Sequence, residues 1–325
     1  MNGDAAALAA SLGVHPVRAV EQIRAGGNNE LFRIAGADAT FALKCYPPPD
    51  RDPRDRLARE FAALQFLWRS GERAIPQPIA LDRASSAALY SWIDGERVDR
   101  FDAEHVAAAL AFLARVHAAR RLPDARELRP AEEAALDGGA LVAQVEARLA
   151  RFANLAGEAS LQAFLRERFA PVWERLVPAI ARVPALAPER QTLSPSDFGR
   201  HNALRRPDGI LAFLDFEYFG WDDPVKLVAD TLWHPGSAFD DERRAQFRSG
   251  ALALYGEDRE FGARLSALEP AYGLRWALII LAEFLPERWE RRRLAGDPGL
   301  WEMAKARQLE NAADYVARAA ARSAG

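Results

Sequence analysis

The chain has little cysteine and no long hydrophobic run. Cys45 is the one thiol among 325 residues, so an internal disulfide and a metal site built from several cysteines are both excluded. The longest unbroken apolar run, Val106 to Ala114, has nine residues, whereas a helix needs about 20 to span a bilayer. No basic residue precedes the alanine-rich start, so we expect no signal peptide there. We therefore expect a cytoplasmic protein without a membrane partner.

An excess of one charge is also absent. The 43 basic and 46 acidic residues leave a net charge of −3. The most basic stretch, residues 287–296, mixes glutamate with arginine, which is typical of a solvated helix face. We therefore expect no nucleic-acid partner. The composition leaves the oligomeric state open.

Lysine is the third scarce feature. Of the 43 basic residues only Lys44, Lys226 and Lys305 are lysines. A lysine that persists in a chain so rich in arginine suggests that a compact ammonium with three donors is needed there, rather than a planar guanidinium. Chance retention remains the alternative at each of the three positions.

Two regions of the chain differ in their pattern. Residues 19–98 contain short alternating segments joined by turns, which predicts strands, with one amphipathic helix between them. From about residue 100 the helical period dominates, and only residues 202–220 show later strand signals, around a Pro-Asp-Gly turn. We predict an α+β fold with an N-terminal lobe at residues 1–93 and a helical lobe at residues 94–325.

Residues suited to phosphate chemistry occur in order along the chain. A Gly-Asn-Asn turn is followed by a lysine on a strand and a glutamate on a helix. An aspartate then lies five residues before an asparagine, and a second aspartate comes thirteen residues later. Taken singly, each of these is an ordinary turn or surface residue. The prediction of a site for phosphate chemistry therefore depends on the occurrence of all of them in this order. The residues are Gly27, Asn28, Asn29, Lys44, Glu60, Asp197, Asn202 and Asp215.

Phosphoryl transfer needs these residue types. The transferred group carries negative charge on three equatorial oxygens, and an ammonium held in place by a carboxylate can stabilise that charge. Carboxylate and amide oxygens are ligands that Mg²⁺ accepts. A further carboxylate beside the acceptor hydroxyl can orient it and take its proton. The residues that suit these three roles are Lys44 with Glu60, Asn202 with Asp215, and Asp197.

On these residues the sequence resembles the aminoglycoside phosphotransferase and choline kinase branch of the protein-kinase-like fold. The segment AGGNNELFRI is similar to the family's nucleotide loop, FALKCY to its lysine strand and REFAALQFL to its glutamate helix. LYSWIDGE is similar to its hinge, and SDFGRHN and LDFEYFGWDDP to its catalytic and metal loops. The resemblance covers about residues 20–290. It implies a bilobal fold with a small β-rich N-lobe and a larger helical C-lobe.

The resemblance also implies a reaction, in which ATP and Mg²⁺ serve to phosphorylate a hydroxyl of a small molecule such as a sugar, amino sugar or amino alcohol. It implies that Asp197 is the base, with Arg200 or His201 helping at the γ-phosphate. It implies that Asn202 and Asp215 hold the metal. The residues expected to bind ATP are Gly27, Asn28, Asn29, Lys44, Glu60 and the hinge residues Ser91, Trp92 and Ile93. The candidates for contact with a cationic acceptor are Asp222, Glu283 and Glu287.

The sequence departs from the family pattern around the catalytic loop. Pro195 and Ser196 stand where the family usually has His-Gly before the aspartate, and Gly199 where a basic residue is common. Leu227 stands where an aspartate usually braces the loop. Because every metal and base position is filled, we favour a divergent enzyme. The alternative is a pseudokinase, a nucleotide-binding scaffold that acts through a protein partner. A protein kinase is disfavoured because no Ala-Pro-Glu segment follows Pro224.

Overall fold

A computed structural model describes residues 2–23, 29–48, 50–51, 54–155, 157–294 and 300–323. The predicted α+β fold is confirmed, with a β-sheet near the N-terminus and a mainly helical remainder. Two compact units divide the chain, and each consists of two segments. The first unit is Met1–Glu132 with Leu193–Trp221, and the second is Glu133–Thr192 with Asp222–Gly325. The predicted lobe boundary between residues 93 and 94 falls inside the first unit and stays a prediction.

The strands and helices follow one another in chain order. The strands are β1 (Ala19–Ile23), β2 (Glu30–Ala35), β3 (Thr40–Cys45), β4 (Pro78–Asp82), β5 (Ala87–Ser91), β6 (Glu96–Arg97), β7 (Thr192–Ser194), β8 (Ala203–Arg205), β9 (Leu211–Phe213) and β10 (Gly220–Asp222). The α-helices are α1 (Asn2–Ser11), α2 (Arg56–Arg69), α3 (Ala103–Ala119), α4 (Gly138–Ala150), α5 (Ala159–Phe164), α6 (Ala170–Ile180), α7 (Pro224–Trp233), α8 (Asp241–Leu254), α9 (Phe261–Ile280), α10 (Pro286–Leu294) and α11 (Trp301–Arg322). The sequence did not predict β7 and β10.

The first unit contains a five-stranded antiparallel sheet in the order β1-β2-β3-β5-β4. Its register places Lys44 of β3 opposite Leu31 on one side and Ala88 on the other. The neighbouring Leu43 is fully buried in a cluster with residues of α1. Because successive side chains of a strand point to opposite faces, the Lys44 side chain leaves the sheet on the face away from α1.

Helix α2 buries a glutamate together with its apolar face. Asp55 caps the helix by accepting a hydrogen bond from the Ala58 N–H at 3.4 Å. Leu57 and Leu64 are buried, and Glu60 lies between them on the same helical face. Only 4% of Glu60 is exposed. The glutamate therefore faces the interior and not solvent.

A hairpin explains the thirteen-residue spacing between Asn202 and Asp215. Strands β8 and β9 pair with Ala203 opposite Phe213. Asn202 directly precedes β8 and Leu214 directly follows β9. These two residues are joined by a 2.8 Å hydrogen bond from the Leu214 N–H to the Asn202 carbonyl. The predicted Pro-Asp-Gly turn closes the other end of the hairpin. The two candidate metal ligands therefore lie side by side at its open end.

Four phenylalanines pack together under the candidate loops. Phe112 of α3 stacks on Phe198, with ring centroids 5.9 Å apart and an interplanar angle of 8°. The Phe112 ring lies 4.4 Å from that of Phe213 and 6.3 Å from that of Phe216. Phe198 directly follows one candidate aspartate, and Phe216 directly follows the other. Both loops are therefore anchored to the same helix.

The second unit is mainly helical, and α9 is its core helix. The segment Phe261–Phe284 is long and apolar enough to cross a membrane by those two criteria, but 67% of its most apolar window is buried within the protein. Gly273 on this helix allows a close approach, since a Cβ there would lie 2.6 Å from the Trp233 ring. Burial on several sides is typical of a helix at the centre of a protein.

We expect Phe112→Ala to lower the free energy of unfolding by about 3–5 kcal/mol, because it removes a fully buried ring and leaves a cavity under both loops. Urea denaturation measures the difference from the wild-type protein. Leu122→Ala is the control, since Leu122 is 41% exposed and its truncation should cost less than about 0.5 kcal/mol. Equal costs for the two substitutions would contradict a structural role for the cluster.

Candidate active site

Three carboxylates surround the ammonium of Lys44. Its Nζ lies 2.7 Å from Glu60 Oε2, 2.8 Å from Asp215 Oδ1 and 3.8 Å from Glu217 Oε2. Oxygens of the three acids lie within 4.8 Å of one another, and the lysine is the cation among them. Burial alone would lower the pKa of Lys44, but the negative charge of the three acids outweighs it and raises that pKa above its ordinary value. Lys44 is therefore protonated at neutral pH.

Glu60 is held by three donors from two parts of the chain. Besides Lys44, its Oε2 accepts a hydrogen bond from the Tyr46 hydroxyl at 2.7 Å. Its Oε1 accepts one from the Phe216 N–H at 3.2 Å. The Tyr46 hydroxyl oxygen is also 2.8 Å from that of Tyr90. Burial and the nearby Glu60 raise the pKa of Tyr46 well above its ordinary value, so this hydroxyl keeps its proton and donates a hydrogen bond to Glu60.

Asp215 and Asn202 present oxygens at the open end of the hairpin. Asp215 has φ of 66°, a conformation uncommon for residues other than glycine, and its side chain is 36% exposed. The Asn202 Nδ2 donates to the Asp197 carbonyl at 3.0 Å. This bond identifies the nitrogen of the amide, so that Oδ1 is the atom left for a ligand. One carboxylate and one amide oxygen fit the oxygen ligands that Mg²⁺ takes together with water and phosphate.

Asp197 follows β7 and has a histidine as its partner. Its Oδ1 lies 2.9 Å from His201 Nε2, and the two side chains are 33% and 27% exposed, respectively. The Arg200 side chain instead places a guanidinium nitrogen 3.4 Å from the Val98 carbonyl. Of the two basic candidates, His201 is thus the one in contact with the candidate base. The roles predicted for both at the γ-phosphate stay predictions.

The unusual residues before Asp197 form a tight turn. The Ser194 hydroxyl accepts a 3.0 Å hydrogen bond from the Ser196 N–H. The Asp197 N–H donates to the Pro195 carbonyl at 2.9 Å, and Ser196 has φ of 68°. Pro195 contributes its carbonyl to this turn, which does not need the N–H that proline lacks. The departure from the family pattern therefore leaves Asp197 in a defined position.

The predicted hinge offers one free backbone donor to a nucleotide. The Ser91 N–H donates to the Gln77 carbonyl at 2.9 Å, and the Trp92 N–H to the Thr40 carbonyl at 3.1 Å. Within the part of the chain that the structure describes, the Ile93 N–H has no hydrogen-bond partner. Ile93 is therefore the hinge residue best suited to contact adenine through its backbone N–H.

Glu217 is the site residue that sequence reasoning missed. It is 3% exposed, and it contacts Arg56 and Asn29 as well as Lys44. The available signal was its position in the run Phe-Glu-Tyr-Phe, because a charged residue among aromatic residues is commonly buried and paired. Asn29, predicted to bind ATP, donates from Nδ2 to Glu217 Oε2 at 2.7 Å. Gly27 and Asn28, the other two predicted loop residues, lie outside the described residues.

The acceptor candidates belong to the second unit, and Asp222 requires a correction. Its exposure is 0%; one oxygen lies 2.9 Å from Lys226 Nζ, and the other accepts the Ala135 N–H at 3.0 Å. Asp222 is thus a core ion-pair partner with no surface to offer a ligand. Glu283 is 7% exposed. Glu287 keeps 54% of its side chain exposed, in contact with Arg151.

Comparison with known protein families agrees with the resemblance seen in the sequence. The profile of the phosphotransferase enzyme family matches residues 19–262, which include the lysine strand, the glutamate helix, the hinge and both loops. No curated protein sequence matches the chain.

Several solved structures share the fold. The gentamicin complex of APH(2″)-IIa has 13% identity and a TM-score of 0.62, with 98% of this chain and 96% of that chain covered. The choline kinase LicA from Streptococcus pneumoniae has 14% identity and a TM-score of 0.60, with 97% and 98% covered. A thermostable mutant of APH(4)-Ia with ADP and hygromycin B has 16% identity and a TM-score of 0.60, with 98% of both chains covered.

We expect Tyr46→Phe to lower the free energy of unfolding by about 1.5–3 kcal/mol, because the buried Glu60 carboxylate loses a donor. Tyr90→Phe is the matched control. It leaves the bond from Tyr46 to Glu60 in place and removes only a contact between two hydroxyls, so its cost should be about 0.5–1.5 kcal/mol. Guanidinium denaturation measures both, and the reverse ranking would show that the tyrosine does not support Glu60.

Proposed function

The chain belongs to the phosphotransferase enzyme family, and we propose that it transfers the terminal phosphoryl group of Mg·ATP to a hydroxyl group of a small molecule. The observation that carries this proposal is the position of Lys44, which contacts Glu60 and Asp215 together. Phosphoryl transfer requires an ammonium for the nucleotide phosphates and a nearby carboxylate for the metal. This contact brings both groups to one place.

Bound Mg·ATP would supply the phosphoryl group and a divalent cation that neutralises its charge. Lys44 would contact the α- and β-phosphates, and Glu60 would keep the ammonium there, since this carboxylate is itself held by a tyrosine hydroxyl and a backbone N–H. Asp215 would give up its 2.8 Å contact with Lys44 in this arrangement and, with Asn202, would hold the metal. The Ile93 N–H would bind the adenine.

Asp197 is the proposed base. Its partly exposed carboxylate would orient the acceptor hydroxyl and take its proton while the hydroxyl oxygen bonds to the γ-phosphorus and the bond from that phosphorus to the bridging oxygen breaks, so that ADP leaves. The 2.9 Å contact between Oδ1 and His201 Nε2 limits rotation of the carboxylate, which favours one orientation for the incoming hydroxyl. Arg200 and His201 stay as candidates for contact with the γ-phosphate.

We propose a hydroxylated metabolite such as a sugar, amino sugar or amino alcohol as the acceptor, and the cytoplasm as the place of action. Support for a small acceptor comes from the structures that share the fold, which include a gentamicin complex, a hygromycin B complex and a choline kinase. In the second unit, the exposed carboxylate of Glu287 remains a candidate contact for a cationic acceptor. Glu283 offers much less surface.

We expect Asp197→Asn to slow phosphate transfer by about 10²–10⁴-fold, because an amide cannot take the hydroxyl proton, while Mg·ATP binding changes little. Asp215→Asn should instead weaken Mg·ATP binding itself. Transfer of labelled γ-phosphate to a panel of hydroxylated metabolites measures the first effect. The Mg²⁺-dependent rise in melting temperature with ATP measures the second.

Asp314→Asn is the control for both variants, because Asp314 lies on α11 with 62% of its side chain exposed. It should match the wild-type protein in transfer and in binding. Transfer at the wild-type rate by Asp197→Asn would contradict the proposed base. A wild-type protein with no Mg²⁺-dependent stabilisation by ATP and no transfer to any acceptor would favour the scaffold alternative.

A further inference from the structure

We propose that Glu217 is a positioning residue and not a metal ligand, an inference that rests on the proposed function. Together with the half-buried Asn29 and the buried Arg56 it forms a group of three side chains, which we call the clamp. The clamp joins the residue before β2, the first residue of α2 and the segment after β9. Its role is to hold Lys44 and Asp215 in the arrangement that receives Mg·ATP.

Both oxygens of Glu217 are engaged within the protein. Oε1 accepts a hydrogen bond from an Arg56 guanidinium nitrogen at 3.2 Å. Oε2 accepts one from Asn29 Nδ2 at 2.7 Å and lies 3.8 Å from Lys44 Nζ. By contrast, Asp215 is 36% exposed and Glu217 only 3%. These donors and the low exposure of Glu217 leave little access for a divalent cation, whereas a cation can reach Asp215 from solvent.

The burial of Arg56 strengthens this assignment. Its side chain and that of Glu217 are 4% and 3% exposed, and an ion pair removed from water is strongly destabilised when one partner is taken away. A move of Glu217 to a metal would pull a carboxylate from this buried guanidinium. The pair is therefore fixed by its surroundings, and the carboxylate is a rigid support.

The orientation of the Asn29 amide follows from the same carboxylate. With Nδ2 towards Glu217 the contact is a hydrogen bond, and a flipped amide would place its oxygen against the carboxylate. Asn29 and Glu217 are 188 residues apart in the chain, so this bond ties the start of β2 to the metal loop. A second carboxylate beside Lys44 also keeps the ammonium in place when Asp215 turns to the metal.

The test exchanges the donor and the acceptor of the hydrogen bond between Asn29 and Glu217. Asn29→Asp places two carboxylates together, and we expect it to raise the Kd for Mg·ADP by about tenfold or more. Glu217→Gln alone should weaken binding by several-fold, because the charge facing Arg56 and Lys44 is lost. The double variant Asn29→Asp with Glu217→Gln should recover most of the loss caused by Asn29→Asp, because the new amide can donate to the new carboxylate. Calorimetry with Mg·ADP measures all four proteins.

The same titrations separate a positioning residue from a metal ligand. A ligand role predicts that Glu217→Gln raises the Mg²⁺ concentration needed for half-maximal ADP binding, that the double variant keeps this defect, and that Asn29→Asp alone has little effect. That outcome would overturn the proposal. Asn311→Asp is the control, since Asn311 is exposed on α11, and it should bind as the wild-type protein does. Asn29→Ser removes the amide without adding charge and must also weaken binding, so it carries the test if Glu217→Gln does not fold.

Failure of the clamp and failure of the proposed function give different results. A wild-type protein that does not bind Mg·ADP overturns the proposed function. Urea denaturation of the same four proteins then tests the clamp alone. The double variant should be more stable than Asn29→Asp, because its new amide can donate to its new carboxylate. A wild-type protein that binds Mg·ADP, together with an Asn29→Asp variant equal to it, overturns the clamp.

Discussion

The candidate site in the first unit is organised around one largely buried charge, the ammonium of Lys44, whose side chain is 14% exposed. A charge taken from water into a protein interior loses several kcal/mol of hydration, and only close opposite charges and hydrogen bonds recover it. The recovery comes from two separate elements, since Glu60 belongs to α2 and Asp215 follows β9. The sheet that carries Lys44 is therefore held to a helix and to the metal loop by the same group. The ion pairs that compensate the charge of Lys44 also bring together the groups proposed for phosphate chemistry.

Aromatic packing gives that arrangement its precision. Phe198 and Phe216 each come one residue after an aspartate of the site, and both rings pack on Phe112. Phe216 acts twice, because its ring is buried while its N–H binds Glu60. The left-handed backbone of Asp215 accompanies this change of direction, from a partly exposed acid to a buried ring in consecutive residues. Ion pairing brings Lys44, Glu60 and Asp215 into contact, and the packing of the phenylalanines fixes the positions of the two loops that carry the aspartates.

Local residue type and spacing were enough to predict the strands of the five-stranded sheet and to select Lys44, Glu60 and Asp215 as candidates that the structure brings into contact, and the resemblance that these residues carry indicated the family. The scarcity of lysine was also informative, since the three lysine side chains are only 14%, 2% and 7% exposed and all lie in ion pairs. The partners of Glu217 could not be predicted, because Arg56 and Asn29 are 161 and 188 residues away from it in the chain. The burial of Asp222 was missed because it depends on its ion pair with Lys226. Strands β7 and β10 have three residues each, too few to show a period.

The unusual catalytic loop bears on whether the protein is an enzyme or a scaffold. Ser196 and Asp215 both have left-handed backbones, which cost roughly 1–2 kcal/mol each for residues other than glycine. Glycine at either position would relieve this cost, yet neither position has one. At Asp215 the retained side chain reaches Lys44, and at Ser196 the strained turn leads directly into Asp197. The left-handed backbone at Ser196 and Asp215 therefore supports the proposed phosphotransferase, in which the altered residues before Asp197 are another way of holding the same base.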